Sequence, residues 1–150
     1  MKWSNIYISR IILAVAASML LLIIYYRVHP ITPKVIINGA TFHLDVAATD
    51  TEKEKGLGYR ESLDQNRGMV FPYDRKDYFP FWMKGMNFPL DFLWVDGNVI
   101  VDITKNVPVL TGNTITTVRP SKPVDKIIEF NAGFADANKI QIGDTVTFKY

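Results

Sequence analysis

Apolar and polar positions change pattern near Pro30. Before it, Ile11 to Tyr26 carries no charge, and the low-polarity run reaches back to Trp3 with Arg10 as its one charged interruption. Trp3 to Tyr26 is 24 residues. That is about 36 Å of helix at ~1.5 Å per residue, enough to cross a hydrocarbon core of about 30 Å. Arg10 can snorkel to the headgroups, and Trp3 and Tyr25-Tyr26 sit where amphipathic rings favour the interface. The reading is a membrane anchor over 1–30. A cleaved signal is the rival, but Ala14-Val15-Ala16 lies in the middle of the apolar run, where cleavage would leave Met19 to Tyr26 exposed.

After Pro30 the apolar runs are short. Val35-Ile36-Ile37, Asn38-Gly39 and Thr41 to Ala47 predict a hairpin with a tight turn. Phe42, Leu44 and Val46 share one face; His43 shares the other with Asp45 and is expected to face solvent. Thr51 to Leu57 reads as a short helix, with capping-box spacing at Thr51–Glu54 and, in a second register, at Thr49–Glu52. Gly68 to Phe71 is a strand and Tyr73 to Asp77 a polar loop. Asp96-Gly97 reads as a second hairpin turn, joining Asp91–Val95 to Asn98–Ile103. Lys105 to Asp125, with Pro108, Pro120 and Pro123, reads as a long loop of the kind that is usually functional. Lys126 to Phe130 and Asp144 to Phe148 are further strands, and Ala132 to Asn138 gives a helical turn. About seven short strands with one or two short helices predict a mainly β domain over 31–150, a small antiparallel barrel or curled sandwich. No βαβ spacing, phosphate-binding glycine loop or nucleophile elbow is evident.

The densest apolar stretch runs from Phe79 to Gly97 and is broken by Lys84, Asp91 and Asp96. Asn87 and Pro89 mark a bend. Two arms folded back about that bend would bring Lys84 and Asp91 opposite each other. Charges in so apolar a setting need partners, as a structural ion pair or as placed groups in a pocket wall. Glu129, between large apolar residues, and Arg60, beyond the first helix, complete the candidate set.

Composition places the rest of the chain among ordinary globular domains: 48% hydrophobic, 21% charged. The net charge of +2 comes from the first segment, since 14 basic and 15 acidic residues remain from Pro30 onward. That balance argues against a nucleic-acid partner. The absence of cysteine excludes a disulfide framework, a thiol nucleophile and a thiolate metal site. No metal or cofactor is called for. Lys2 and Arg10 before the apolar run, against Arg27 and Lys34 after it, favour a cytoplasmic N-terminus and an extracytoplasmic domain.

Four blocks carry a family resemblance. They are Gly56-Leu57-Gly58-Tyr59-Arg60; Gly68-Met69-Val70-Phe71; Phe81-Trp82-Met83-Lys84 running on to Phe88-Pro89-Leu90-Asp91; and Ile128 to Gly133 with Ile142-Gly143-Asp144. In order and spacing, residues 35–148 resemble the Domain of Unknown Function 192 family of bacterial and archaeal proteins. The resemblance implies a small β-rich, barrel-like fold, often carried behind a secretory signal or membrane anchor, and implies no activity. This chain departs from the family pattern at Gly58, where methionine is usual, and at Gly85-Met86, where asparagine-threonine is usual. It also lacks the cysteines that many members carry in the long loop.

Three functional expectations follow. The first is a small polar or anionic ligand held in an aromatic-lined pocket by Arg60, Trp82, Lys84, Asp91 and Glu129. The second is a structural or partner-binding domain at the lipid bilayer, with no particular protein partner indicated. The third is an enzyme using Asp91 and Glu129 as an acid–base pair.

Overall fold

The computed structural model describes residues 3–28, 32–110 and 115–149. They fall into two compact units, Met1–Ile31 and Thr32–Tyr150. The first holds helix α1 (Trp3–Val28), whose Tyr7–Tyr25 segment is long and apolar enough to cross a membrane and is not buried.

The second unit is mainly β. Its main sheet contains β1 (Lys34–Ile37), β2 (Ala40–Val46), β3 (Arg67–Asp77), β5 (Leu90–Asp96), β6 (Val99–Val107), β8 (Val124–Asn131) and β9 (Val146–Lys149). The order is β6-β5-β8-β3-β2-β1-β9, curled into a half barrel. Its two edges meet at one corner, where Val99 bridges Thr145. A ribbon of β4 (Phe81–Trp82) and β7 (Thr117–Val118) lies apart from this order, and the helices are α2 (Asp50–Lys55) and α3 (Phe134–Ala137). Alternation along the strands makes two cores. Val35, Leu44, Leu93, Ile128 and Phe130 fill one face of the sheet; Met69, Phe71, Phe92, Trp94 and Ile127 fill the other, together with Phe81 and Leu57.

The first hairpin has the expected turn, with Asn38 at φ 51° and Gly39 at φ 80°. The helix uses the earlier of the two capping registers: Thr49 Oγ1 accepts from Glu52 N, and Glu52 Oε2 accepts from Thr49 N at 2.9 Å. Other expectations are corrected. The second turn is Gly97-Asn98, one residue later than read, because Asp96 still pairs with Val99. Tyr73 to Asp77 is not a loop but the end of β3. A register shift after Pro72 accommodates the proline, which lies beyond the last β2 pair, Val46 with Val70. That β2–β3 pair is parallel, so the sheet does contain a strand–helix–strand crossover, through α2. The long loop is shortened at both ends by β6 and β8 and carries β7; within it, 111–114 lie outside the described residues. His43 is half-buried rather than solvent-facing. It is in register with Lys34 and Arg67, and its Nδ1 is enclosed with no hydrogen-bond partner among the described residues.

The main correction concerns Phe79 to Gly97. Its arms do not pair with each other. Leu90 to Val95 alternate between the two cores, and β8 and β6 occupy both hydrogen-bonding edges of β5, which leaves none for β4. The other arm, β4, pairs with β7 instead.

Candidate functional site

The site is built around β8. Glu129 shares a face with Ile127, while Ile128 and Phe130 turn to the other core. Its in-register neighbours are Met69 on β3 and Phe92 on β5, so two apolar strands carry the carboxyl into the sheet's Phe71–Trp94 face. The residue is only 5% exposed. Burial pushes its carboxyl up to about 8, and the positive charge of Arg60 opposes that rise only in part. Among the described residues, no hydrogen bond to this carboxyl is formed.

A cleft of about 280 Å³ opens onto Glu129. Phe71 and Tyr73 come from β3, Phe81 and Trp82 from β4, and Gly56 and Leu57 from the end of α2. Trp82 is 43% exposed. The aromatic wall is braced by Phe81, which meets Phe71 edge-on at 4.9 Å and Trp94 edge-on at 5.8 Å. Gly56 keeps the approach to the carboxyl open. A Cβ there would lie 3.3 Å from Phe71 Cζ and 3.9 Å from Glu129 Oε2, and its φ of 50° with ψ of −134° is glycine's territory. Lys53, Lys55 and Lys84 stand around the opening with Asp50 and Glu54. Lys53 Nζ sits 4.1 Å above the Tyr73 ring. Burial, Asp50 and Glu129 together raise the Tyr73 phenol.

The sequence candidates separate. Trp82, Lys84 and Glu129 line this cleft. Arg60 lies beside it: Asp45 Oδ2 accepts from Arg60 Nη1 at 2.7 Å, and Asp45 Oδ1 accepts from Arg67 Nη1 at 2.7 Å. Asp91 takes no part. It pairs in register with Phe130, whereas Glu129 pairs with Phe92, so the two carboxylates occupy opposite faces of the sheet. Fully buried, Asp91 accepts from Asn106 N at 2.7 Å and Ala135 N at 2.9 Å. Lys84 is exposed, and the expected Lys84–Asp91 pair does not form. Trp94 is core, with Nε1 donating to Thr104 Oγ1 at 2.9 Å.

Sequence reading missed Tyr73, Phe71, Lys53 and Gly56 as parts of the site. Period-two counting from Met69 finds Phe71 and Tyr73 once β3 is carried through Pro72. Lys53 and Gly56 are three apart, which sets them on one side of α2. Two departures from the family pattern lie where loops lock together beside the cleft. A Cβ on Gly58 would meet Lys55 O at 2.8 Å, and one on Gly85 would meet the Tyr59 ring at 2.9 Å. Tyr59, at φ 65°, donates its N–H to Gly85 O at 2.7 Å.

The fold and cleft define a small curled-sheet β domain with a buried acid beneath an aromatic opening. The chain belongs to the Domain of Unknown Function 192 family, whose model, described as "Uncharacterized ACR", matches residues 34–148. Two solved structures are similar. A candidate transcription regulator from Sinorhizobium meliloti 1021 is 25% identical with a TM-score of 0.67, over 77% of this chain and 91% of that one. A protein of unknown function from Novosphingobium aromaticivorans DSM 12444 is 28% identical with a TM-score of 0.69, over 76% and 83%. No curated protein matches the chain.

Proposed function

We propose that this is a small-molecule-binding domain tethered to the bilayer through residues 1–30, with residues 31–150 outside the cytoplasm. The cleft takes a small polar ligand, and an anionic group on that ligand is held at the opening by Lys84 and its neighbouring lysines. The observation that carries this reading is Glu129, a buried carboxyl with no hydrogen bond among the described residues, which opens onto an aromatic-walled cleft instead of being packed over. Burying such a group costs stability, and a ligand that satisfies it gives the cost a purpose.

The acid–base reading has lost its geometry, since Asp91 and Glu129 face opposite sides of the sheet. The Sinorhizobium protein's description does not favour nucleic acid here, because the balance from Pro30 onward is 14 basic to 15 acidic residues.

The test is ligand-observed NMR of the full chain in detergent against a panel of small polar and anionic metabolites. Hits should be lost in both Glu129→Gln and Trp82→Ala. A panel with no hit sensitive to either substitution overturns the reading, and a stably co-purifying protein that protects Trp82 would replace it with the partner-binding alternative.

A further inference from the structure

We propose that the floor of the cleft recognises an organic ammonium group, which pairs with Glu129 while the aromatic wall surrounds it. The inference rests on the binding function proposed above and names the ligand's chemistry at the buried end.

Three observations lead there. First, Glu129 forms no ion pair among the described residues. Arg60, the cation that acts on it electrostatically, is held at 2.7 Å by Asp45, which also accepts from Arg67. Secondly, the walls suit a cation. Phe71, Tyr73, Phe81 and Trp82 all line this space, and Trp82, 43% exposed, is the ring with a face open to an ammonium group, since Tyr73 stacks on Phe79 at 3.7 Å. Lys53 already makes this contact, with Nζ 4.1 Å above Tyr73, so the wall accommodates a primary ammonium within the chain itself. Thirdly, Gly56 leaves room beside Oε2 that any side chain would narrow. A ligand carrying an ammonium at one end and an anionic group at the other would satisfy Glu129 below and the lysines above.

Protonation fixes the signature. The groups around Glu129 are Asp50, Lys53, Glu54 and Lys55 from α2, and Lys84 after β4. Arg60 and Tyr73 also act on it or respond to it. Burial raises the Glu129 carboxyl to about 8, so below that pH it is the neutral acid. Pairing with an ammonium requires the carboxylate, so the carboxyl proton passes to the buffer on binding and the ligand keeps its own. Affinity for the ammonium then rises about tenfold per pH unit below that pKa.

The experiment compares two aryl probes of similar size and opposite charge, phenethylammonium and phenylacetate. Both are titrated calorimetrically into the full chain in detergent, from about pH 6 to about pH 8 and in buffers of different ionisation enthalpy. The expected result is that phenethylammonium binds, releases about one proton per site at the acid end and tightens toward pH 8. On the unsubstituted chain, the Glu129 side-chain carboxyl ¹³C resonance should move to its ionised position when the amine saturates. Glu129→Gln should abolish the pH dependence and most of the affinity. Phenylacetate binding that depends on Glu129 would overturn the ammonium inference while leaving the binding function standing. Amine binding without proton release or a Glu129 shift would overturn the inference as well. Binding of neither probe would also overturn it, and the metabolite panel then decides the broader reading separately.

Discussion

Glu129 sets the pH behaviour expected of the domain. Its carboxyl titrates near 4.5 when solvated and is raised to about 8 by burial in the fold. Between those values the native state binds more protons than the unfolded state, so stability is greatest at the acid end and falls as pH rises, levelling off above about 8. The full loss is on the order of a few kcal/mol, because each tenfold weakening of an acid on folding is worth about 1.4 kcal/mol. Gln is nearly the same shape and never ionises. Urea denaturation at several pH values should therefore show the wild type losing stability from about pH 5 to about pH 8, with Glu129→Gln changing much less over the same range. Parallel profiles would mean that water or a moving side chain already satisfies the carboxylate. The position of Glu129 between apolar neighbours was legible in the sequence. Its isolation was not, because that depends on Asp45 capturing Arg60, and Asp45 comes from a strand fifteen residues upstream.

At the scale of elements, Asp91 shows how one carboxylate can organise structure without forming a site. Helix α3 has Gly133 as its N-cap, with no side chain to accept from the first turn. Asp91, reaching from β5, accepts from Ala135 N with one oxygen and from Asn106 N on β6 with the other. It thus fastens α3 and the irregular end of the β5–β6 pair to the sheet. Asp91→Ala should cost about 3 kcal/mol, since two backbone donors lose a charged acceptor. Asp91→Asn should cost less, because the amide oxygen keeps one of those bonds. Neither change should alter binding in the cleft, which opens on the other face, and a loss of binding at full folding would contradict that separation. Sequence patterning found nearly every element because alternation is local. It found the β5–β6 hairpin but failed for the non-local pairs: the second neighbour of β5 is β8, and β4 pairs with β7. The unbroken apolar run from Leu90 to Val95 was a sign that β5 is interior, but it does not say which strand lies beside it.

At the scale of the molecule, the two units make different demands on their surroundings. Helix α1 exposes Leu, Ile and Val side chains along Tyr7–Tyr25, which water does not tolerate at that density. The second unit buries most of its large apolar residues in two cores of its own. Residues 31–150 should therefore form a soluble monomer without detergent, giving a dispersed amide spectrum with the same Glu129 resonance as the full chain. Aggregation of that fragment would mean that the apolar helix contributes to the fold as well as to location. The side of the membrane is a separate question, and it rests on few charges: Lys2 and Arg10 before the apolar run, Arg27 and Lys34 after it. Positive charge is retained on the cytoplasmic side, and the bias here is small because both ends carry it. We expect the domain outside. Reporters fused after Tyr150, one active only in the cytoplasm and one only beyond it, would decide the matter. The expected outcome is signal from the second alone, with an intact-mass measurement retaining residues 1–30. A strong cytoplasmic signal would reverse the orientation, and the cleft would then meet cytoplasmic amines instead of those outside the cell.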